Sequence, residues 1–114
     1  MRNKREKGSL YEEKAAIFLN EKGMTILEKN YRCRIGEIDL IAKEKNTLVF
    51  VEVKYRSNSL YGMPESACHT RKQQTIRRVA QHYLYEKQSF YEMGYRFDVV
   101  AFLGEAIRYY PNAF

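Results

Sequence analysis

Three charged residues interrupt two neighbouring apolar stretches of this chain. Asp39 lies within residues 36–42 (GEIDLIA), and Glu52 and Lys54 lie within residues 48–54 (LVFVEVK). Side chains alternate between the two faces of an extended strand, so Glu52 and Lys54 share one face of the second stretch. Burying a carboxylate among Val, Ile, Leu and Phe is costly unless a partner compensates its charge. The pattern therefore indicates that these carboxylates bind a partner.

The two stretches are predicted to pair as an antiparallel hairpin. If residues 44–47 form the connecting loop, Asp39 lies opposite Glu52, and Glu37 lies opposite Lys54. Like charges that face each other across a sheet destabilise it. The hairpin register therefore adds to the need for a compensating positive charge.

Two partners satisfy this requirement equally well at the level of spacing. A divalent cation is the first, because Mg²⁺ prefers oxygen ligands and is often bound by one or two carboxylates, water and substrate phosphates. Phosphodiester chemistry fits that arrangement. A local ion pair is the second, in which Lys54 neutralises Glu52 or Glu37 at the edge of a sheet.

A first helix is predicted from Ser9 to Lys22, with Ser9 as its cap. Residues 1–8 are rich in Lys and Arg and are expected to form a basic N-terminal tail ahead of a domain over residues 9–114. Glu12 follows Ser9 by three residues and lies on the apolar side of the helix. It is therefore either the glutamate of a capping box or a third carboxylate directed at the core.

The remaining elements give a single α/β domain with the order αβββαββ, in which two helices flank a central mixed β-sheet. A weaker strand is predicted over Met24–Tyr31, ahead of the hairpin. After it, turn-forming residues predict a loop over Arg56–His69, and a capped amphipathic pattern predicts a second helix from Thr70 to about Glu86. Strands are predicted over Arg96–Leu103 and Ala106–Tyr110.

The overall charge favours an anionic partner, either nucleic acid or an acidic membrane surface. Twenty Lys and Arg against fourteen Asp and Glu give a formal net charge of +6. No apolar run approaches the roughly 20 residues that span a bilayer, and the amino end lacks the apolar segment of a signal peptide. We therefore expect a cytoplasmic protein that does not bind through a membrane span.

This order of elements, with a glutamate in the first helix, an aspartate in the second strand and Glu-x-Lys in the third, resembles the PD-(D/E)xK nuclease superfamily and its Holliday junction resolvases. Ile38 stands where the superfamily name has proline. More closely, the chain is similar to the YraN family of small bacterial proteins. The segments that carry this similarity are GSLYE (8–12), GEIDLIA (36–42), FVEVK (50–54), RKQ (71–73), RFDVV (96–100) and NAF (112–114).

The resemblance implies a restriction-endonuclease-like fold with a metal cofactor, Mg²⁺ or possibly Mn²⁺. Asp39 and Glu52 would bind the metal, together with the carbonyl of Val53 and the carboxylate of Glu12. Lys54 would orient or deprotonate the attacking water, or stabilise charge on the scissile phosphate.

Three further residues receive roles from the same resemblance. Gln73 matches the variable fourth motif of the superfamily and would position water or phosphate, with Lys72 as its competitor for that role. Glu37 would contact the metal ligands without binding the metal itself, or it would pair with Lys54 across the hairpin.

Two functions follow as expectations. The first is a metal-dependent endonuclease for branched or structured DNA, in which Arg56, Arg71 and Arg78 contact phosphates. The second is a nucleic-acid-binding module, for DNA or RNA, that keeps the fold without cleavage. A protein-interaction adaptor ranks third because it leaves the acidic and basic residues unexplained. By analogy with resolvases we expect a homodimer.

Overall fold

Two helices and five strands follow one another along the chain. The computed structural model describes residues 4–58, 70–90 and 92–114. Its elements are α1 (Lys4–Glu21), β1 (Thr25–Arg32), β2 (Glu37–Glu44), β3 (Thr47–Arg56), α2 (Thr70–Glu86), β4 (Gly94–Leu103) and β5 (Ala106–Tyr110), with a short 3-10 helix at Gln88–Phe90. The predicted α/β domain of order αβββαββ, with its mixed sheet and two flanking helices, is confirmed.

The five strands form one sheet in the order β1-β2-β3-β4-β5. Only β3 and β4 run parallel, and the other neighbours are antiparallel. Parallel neighbours need a crossover connection, and α2 provides it. Most of the predicted loop over Arg56–His69 falls on residues 59–69, which lie outside the described residues, while Arg56 itself ends β3.

Each face of the sheet carries a hydrophobic core under one helix. On one face, Ala15, Ala16 and Leu19 of α1 pack against β2, β3 and β4. On the other face, buried residues of α2 pack against the same strands and include Ile76, Val79, Ala80, Tyr83 and Leu84. Among the described helices, none is long and apolar enough to cross a membrane.

The hairpin has the predicted register but a tighter turn. Leu40 pairs with Val51, as the predicted alignment requires. Glu44 also pairs with Thr47, so the loop has two residues instead of the predicted four. Lys45 enters this turn with φ 53°, the left-handed conformation that two-residue hairpin turns use.

The first helix begins at Lys4, five residues before the predicted cap. Lys, Arg and Glu have high helix propensity, and residues 4–8 belong to the helix. Ser9 lies inside α1 and does not cap it. The capping-box explanation of Glu12 is therefore wrong, whereas α2 and β5 have the predicted bounds.

A charged network fixes β4 within the sheet and explains part of the RFDVV segment. Asp98 is fully buried and accepts hydrogen bonds from the Nε of Arg96 at 3.1 Å, the hydroxyl of Tyr109 at 2.5 Å and the amide of Asn112 at 2.8 Å. Arg96 also binds Glu44 of β2 at 3.0 Å. Every oxygen of this buried carboxylate has a partner, so the network stabilises β4 beside the parallel strand β3.

Gly36 allows the start of β2 to approach α2 closely. A Cβ atom at this position would lie 2.9 Å from Cγ2 of Thr75 and 3.5 Å from a methyl group of Val79. Such a distance is shorter than carbon atoms tolerate, so the two elements can keep this separation only with glycine here.

Gly36→Ala is expected to lower the free energy of unfolding by about 1–3 kcal/mol, because α2 or β2 must move to accommodate the methyl group. Urea denaturation measures the loss. Thr75→Ser removes Cγ2 and keeps the hydroxyl that donates to the carbonyl of Arg71, so the double variant should recover most of it. Gly8→Ala is the matched control, because no heavy atom lies within 4 Å of its added Cβ. Equal losses at Gly8 and Gly36 would contradict the explanation.

Candidate metal centre

The ladder between β2 and β3 ends immediately before Asp39 and Glu52. Its last pair is Leu40 with Val51. Beyond this pair, β2 remains paired with β1 and β3 remains paired with β4. In place of a backbone acceptor, Oδ2 of Asp39 accepts a hydrogen bond of 2.8 Å from the amide of Val53. The two strands therefore separate at the position where the charged residues begin.

Glu52 is a buried carboxylate with two lysine neighbours. Its side chain is 2% exposed, and Oε2 lies 3.3 Å from Nζ of Lys54 and 3.6 Å from Nζ of Lys72. Burial, as the largest cause, and then the charge and hydrogen bond of Asp39 raise the pKa of Glu52 to about 8, although the two lysines oppose the shift. Desolvation and the neighbouring acid thus outweigh the two cations.

Glu12 brings a second acid to Asp39 from the other side of the sheet. The pKa of Glu12 is raised to about 7. Burial is the largest cause, the charge of Asp39 is the second, and Glu37 makes a smaller contribution. A side-chain hydrogen bond with Asn30 opposes the shift. Asp39 therefore interacts with both Glu12 and Glu52, and the three predicted carboxylates are brought together.

Asn30 is a site residue that sequence reasoning missed. The pairs on either side of it, Lys29 with Leu40 and Tyr31 with Ile38, place Asn30 across from Asp39. Its φ of 54° is left-handed, a conformation that asparagine adopts more readily than most residues. An asparagine inside a strand pattern is the signal that could have identified this position.

The structure distinguishes Lys72 from Gln73 at the start of α2. Nζ of Lys72 lies beside Glu52, whose charge is the main cause that raises the lysine pKa. Gln73 instead lines a shallow pocket with Val99, next to the last residues of the chain. Val99 is the β4 partner of Glu52, so the pocket that Gln73 lines lies beside the strand that carries Glu52.

Glu37 does not form the predicted pair with Lys54. Its Oε2 binds Nε of Arg32 at 3.1 Å across the β1–β2 ladder, on an exposed part of the sheet. The ion-pair interpretation holds for Lys54 with Glu52. For Asp39 and Glu12 the described residues show no ion pair with lysine or arginine.

The donor set suits a hard divalent cation but does not enclose one. Within the described ranges, no three carboxylate, histidine or cysteine groups converge closely enough to hold an ion by themselves. Mg²⁺ requires only one or two carboxylates when waters and phosphate oxygens complete its shell. Asp39 and Glu52 meet that requirement, and the raised pKa of Glu52 indicates that its ionised form is disfavoured, which a bound cation would offset. The amide of Val53 contacts Asp39, and a ligand role for its carbonyl stays a prediction.

The three arginines predicted to contact phosphates occupy different environments. Arg71 and Arg78 are exposed and seven residues apart on α2. Arg56 is half-buried, and its Nε is buried with no hydrogen-bond partner among the described residues. Its carbonyl accepts a hydrogen bond of 2.8 Å from the amide of Gly104. Phosphate contact by these residues stays a prediction.

An aromatic stack holds α1 against the strand that carries the lysine. The rings of Tyr11 and Tyr55 stack with centroids 3.9 Å apart, and Phe102 packs against Tyr11 at 5.0 Å. Tyr11 precedes Glu12, and Tyr55 follows Lys54. The stack therefore holds α1, which carries Glu12, against β3, which carries Lys54.

Glu52→Gln is expected to change the pH dependence of stability. Because folding raises the pKa of Glu52 from 4.5 to about 8, the protonated group favours folding, and ionisation between these values opposes it. Wild-type stability should therefore fall from about pH 5 to about pH 8 through this group. The glutamine variant lacks the charge, so at about pH 8 its Tm should exceed that of the wild type by at least about 4 °C.

Thermal denaturation followed by circular dichroism measures this difference. Glu13→Gln is the control, because Glu13 is 56% exposed and pairs with Lys29 on the surface. The Tm of Glu13→Gln should change with pH in the same way as that of the wild type. A Glu52→Gln protein that is less stable than the wild type at the higher pH would contradict the assigned environment.

Comparison with known proteins identifies relatives along the whole chain. A protein of Lachnoclostridium phytofermentans named UPF0102 protein is 48% identical over 98% of this chain and 95% of its own length. UPF0102 proteins of Caldicellulosiruptor saccharolyticus and Nitrosomonas eutropha are 49% and 43% identical, over 86% and 100% of this chain and 82% and 97% of their own lengths. The model of the uncharacterised protein family UPF0102 matches residues 11–102. The chain belongs to the UPF0102 family, which is the YraN-like family that its motifs resemble.

Proposed function

We propose that this protein is a metal-dependent endonuclease that hydrolyses phosphodiester bonds in branched or structured DNA. The observation that supports this proposal best is the position of Asp39, which interacts with Glu12 and Glu52 while two lysines contact Glu52. Acids and ammonium groups are adjacent at an opening between two strands. Metal-dependent hydrolysis of a phosphodiester can use both kinds of group, because the acids bind the cation and the ammonium groups bind phosphate.

Asp39 and Glu52 would hold the ion, with Glu12 as a third acid at the edge. Mg²⁺ or Mn²⁺, when bound, supplies a Lewis acid and lowers the pKa of water. Asp39 is fixed for this role by its hydrogen bond to Val53, so one of its oxygens is oriented by the backbone. Asn30 orients Glu12 in the same way through its side chain.

The lysines provide the phosphate-binding side of the site. Lys54 is 18% exposed and therefore reaches solvent from a mostly buried stem, and Lys72 is 44% exposed. Once a cation compensates Glu52, both ammonium groups can turn from the carboxylate to phosphate oxygens. Lys54, on the strand, would stabilise charge that develops on the scissile group, and Lys72 would hold a neighbouring oxygen.

A cleavage assay tests this proposal. The purified protein is incubated with Mg²⁺ and with four-way junctions, flaps, duplexes and single strands. Asp39→Asn and Lys54→Met should each lower the cleavage rate by at least about 100-fold, since each removes a charge that acts on the transition state. Lys45→Met is the control, because Lys45 lies exposed in the hairpin turn. Equal traces of cleavage in all four proteins would identify a contaminant and refute the activity.

Metal binding is testable without turnover. Mn²⁺ or Mg²⁺ at about 100 times its dissociation constant should add about 2.7 kcal/mol to the free energy of unfolding of the wild type. Asp39→Asn should lose this stabilisation, while Glu13→Gln should keep it. Thermal denaturation with and without the ion measures both effects. Identical shifts in the wild type and Asp39→Asn would place the ion elsewhere.

A nucleic-acid-binding module without catalysis is the alternative function. The absence of a closed three-ligand cluster in the described part of the chain favours it, as does the contact of both lysines with Glu52. Such a module would bind DNA or RNA with an affinity that falls as salt rises. Asp39→Ala would leave that affinity unchanged or increase it by removing repulsion with phosphate, and no substrate would be cleaved.

A further inference from the structure

The outer side of α2 carries a row of exposed residues that leads away from the candidate metal centre. The row starts next to Lys72 and continues for the length of the helix. Its members recur every three or four residues and therefore lie along one helical face. They are Arg71, Gln74, Arg78, Gln81 and Tyr85, all exposed. Among the described residues no carboxylate forms an ion pair with Arg71 or Arg78.

A broad cavity of about 1180 Å³ lies at the far end of this row. Tyr85 and Tyr95 form two of its walls and are 76% and 45% exposed, among the most exposed large apolar side chains of the described residues. Gln81, Gln88 and Ser89 add amide and hydroxyl groups to the lining. Aromatic faces beside hydrogen-bonding groups are the chemistry that binds nucleobases.

The ring of Tyr95 is held in a fixed orientation. Its hydroxyl accepts a hydrogen bond of 3.2 Å from Nε2 of Gln81. Phe50 and Phe97 pack against it edge-to-face at 6.2 Å and 5.9 Å. An exposed ring with a fixed orientation loses little conformational freedom when a base stacks on it.

Positive charge borders the cavity on the side of the metal centre. Arg77 and Arg78 line a smaller depression that shares Gln81 and Tyr95 with the cavity. Arg77 is occupied over the rings of Phe97 and Phe114, so Arg78 is the more available cation. Glu92 is the acidic residue among the described lining residues, and it can accept a hydrogen bond from a base amino group but cannot bind phosphate.

We propose that this surface binds an unpaired nucleic-acid strand, with its bases on Tyr85 and Tyr95 and its phosphates along Arg78 and Arg71. The proposal rests on the proposed function and names the substrate class of that site, a duplex joined to a single strand. The cavity is larger than the roughly 300–1,000 Å³ of small-molecule sites, so it suits a polymer. Stacking on tyrosine requires bases that are not paired within a duplex.

The sheet and the helix give the distance from the metal centre to this surface. Tyr95 lies four residues before Val99, the partner of Glu52, which corresponds to about 13 Å along the strand. Along α2, Lys72 and Tyr85 are thirteen residues apart, or about 20 Å. These lengths correspond to a few nucleotides of an unpaired strand. Cleavage is therefore expected within a few nucleotides of the bases that stack on Tyr85 and Tyr95.

A binding assay without divalent metal tests the surface independently of catalysis. The probe is a fluorescent duplex of about 15 base pairs with a thymidine extension of about ten nucleotides, compared with the blunt duplex. Tyr85→Ala/Tyr95→Ala should weaken binding of the extended probe by about tenfold and leave the blunt duplex unchanged. Tyr85→Phe/Tyr95→Phe keeps both rings and should bind as the wild type does. Fluorescence anisotropy gives the dissociation constants.

The outcomes separate this inference from the proposed nuclease activity. A wild type that binds both probes equally, or an alanine variant that keeps the preference for the extended probe, would overturn the inference. Loss of the preference in the alanine variant alone supports it, even if no substrate is ever cleaved. A uridine extension compared with a deoxyuridine extension distinguishes ribose from deoxyribose, and a preference for either over the blunt duplex counts as support. Circular dichroism confirms that each variant is folded.

Discussion

The hydrogen bond from the amide of Val53 to the carboxylate of Asp39 is the interaction on which the site depends. It forms where the β2–β3 ladder ends, so it satisfies a backbone donor that the neighbouring strand no longer serves. An unsatisfied buried amide would cost about 1–3 kcal/mol. Asp39 therefore completes the sheet and at the same time carries a charge into the opening between the strands. The carboxylate of Asp39 therefore both satisfies a backbone amide of the sheet and belongs to the candidate site.

The charges around Asp39 oppose folding, and the surrounding apolar packing compensates for them. Burial and mutual repulsion raise the pKa of Glu12 and Glu52. Two cores, one on each face of the sheet, hold the helices and strands that bring these acids together. Local conflict of this kind is typical of functional sites, where a sequence departs from the rules that stabilise the rest of the fold. A bound cation would relieve the conflict, which links binding to stability.

Local signals predicted those parts of the fold that local interactions determine. The bounds of α2 follow from Thr70 at its start and from its apolar period, and the hairpin register follows from alternation up to Leu40 and Val51. The start of α1 was missed because Ser9 was interpreted as a cap, whereas residues 4–7 are good helix formers and the helix continues through Gly8. The capping motif at Ser9 was therefore misleading.

The contacts of individual site residues depend on how α2 and β1 are placed on the sheet, and the sequence alone does not give that placement. Nζ of Lys72 lies 3.6 Å from Oε2 of Glu52, because the rotation of α2 on the sheet decides which residues of its first turn face the acids. Glu37 pairs with Arg32 because β1 lies beside β2, and the sequence did not predict that register. Asn30 was missed for the same reason, since its position relative to Asp39 appears only once β1 and β2 are paired.

Helix α2 connects the candidate metal centre with the cavity as one rigid element. Lys72 lies at its first turn and Tyr85 at its last, and five buried residues between them pack on the sheet. Arg77, over the rings of Phe97 and Phe114, anchors the middle of the helix to β4 and to the carboxyl end. The distance between a phosphate at Lys72 and a base at Tyr85 is therefore set by the helix and not by the ligand. A protein built in this way would select nucleic acids by the position of an unpaired segment, because neither the lysines nor the tyrosine rings read the sequence of bases.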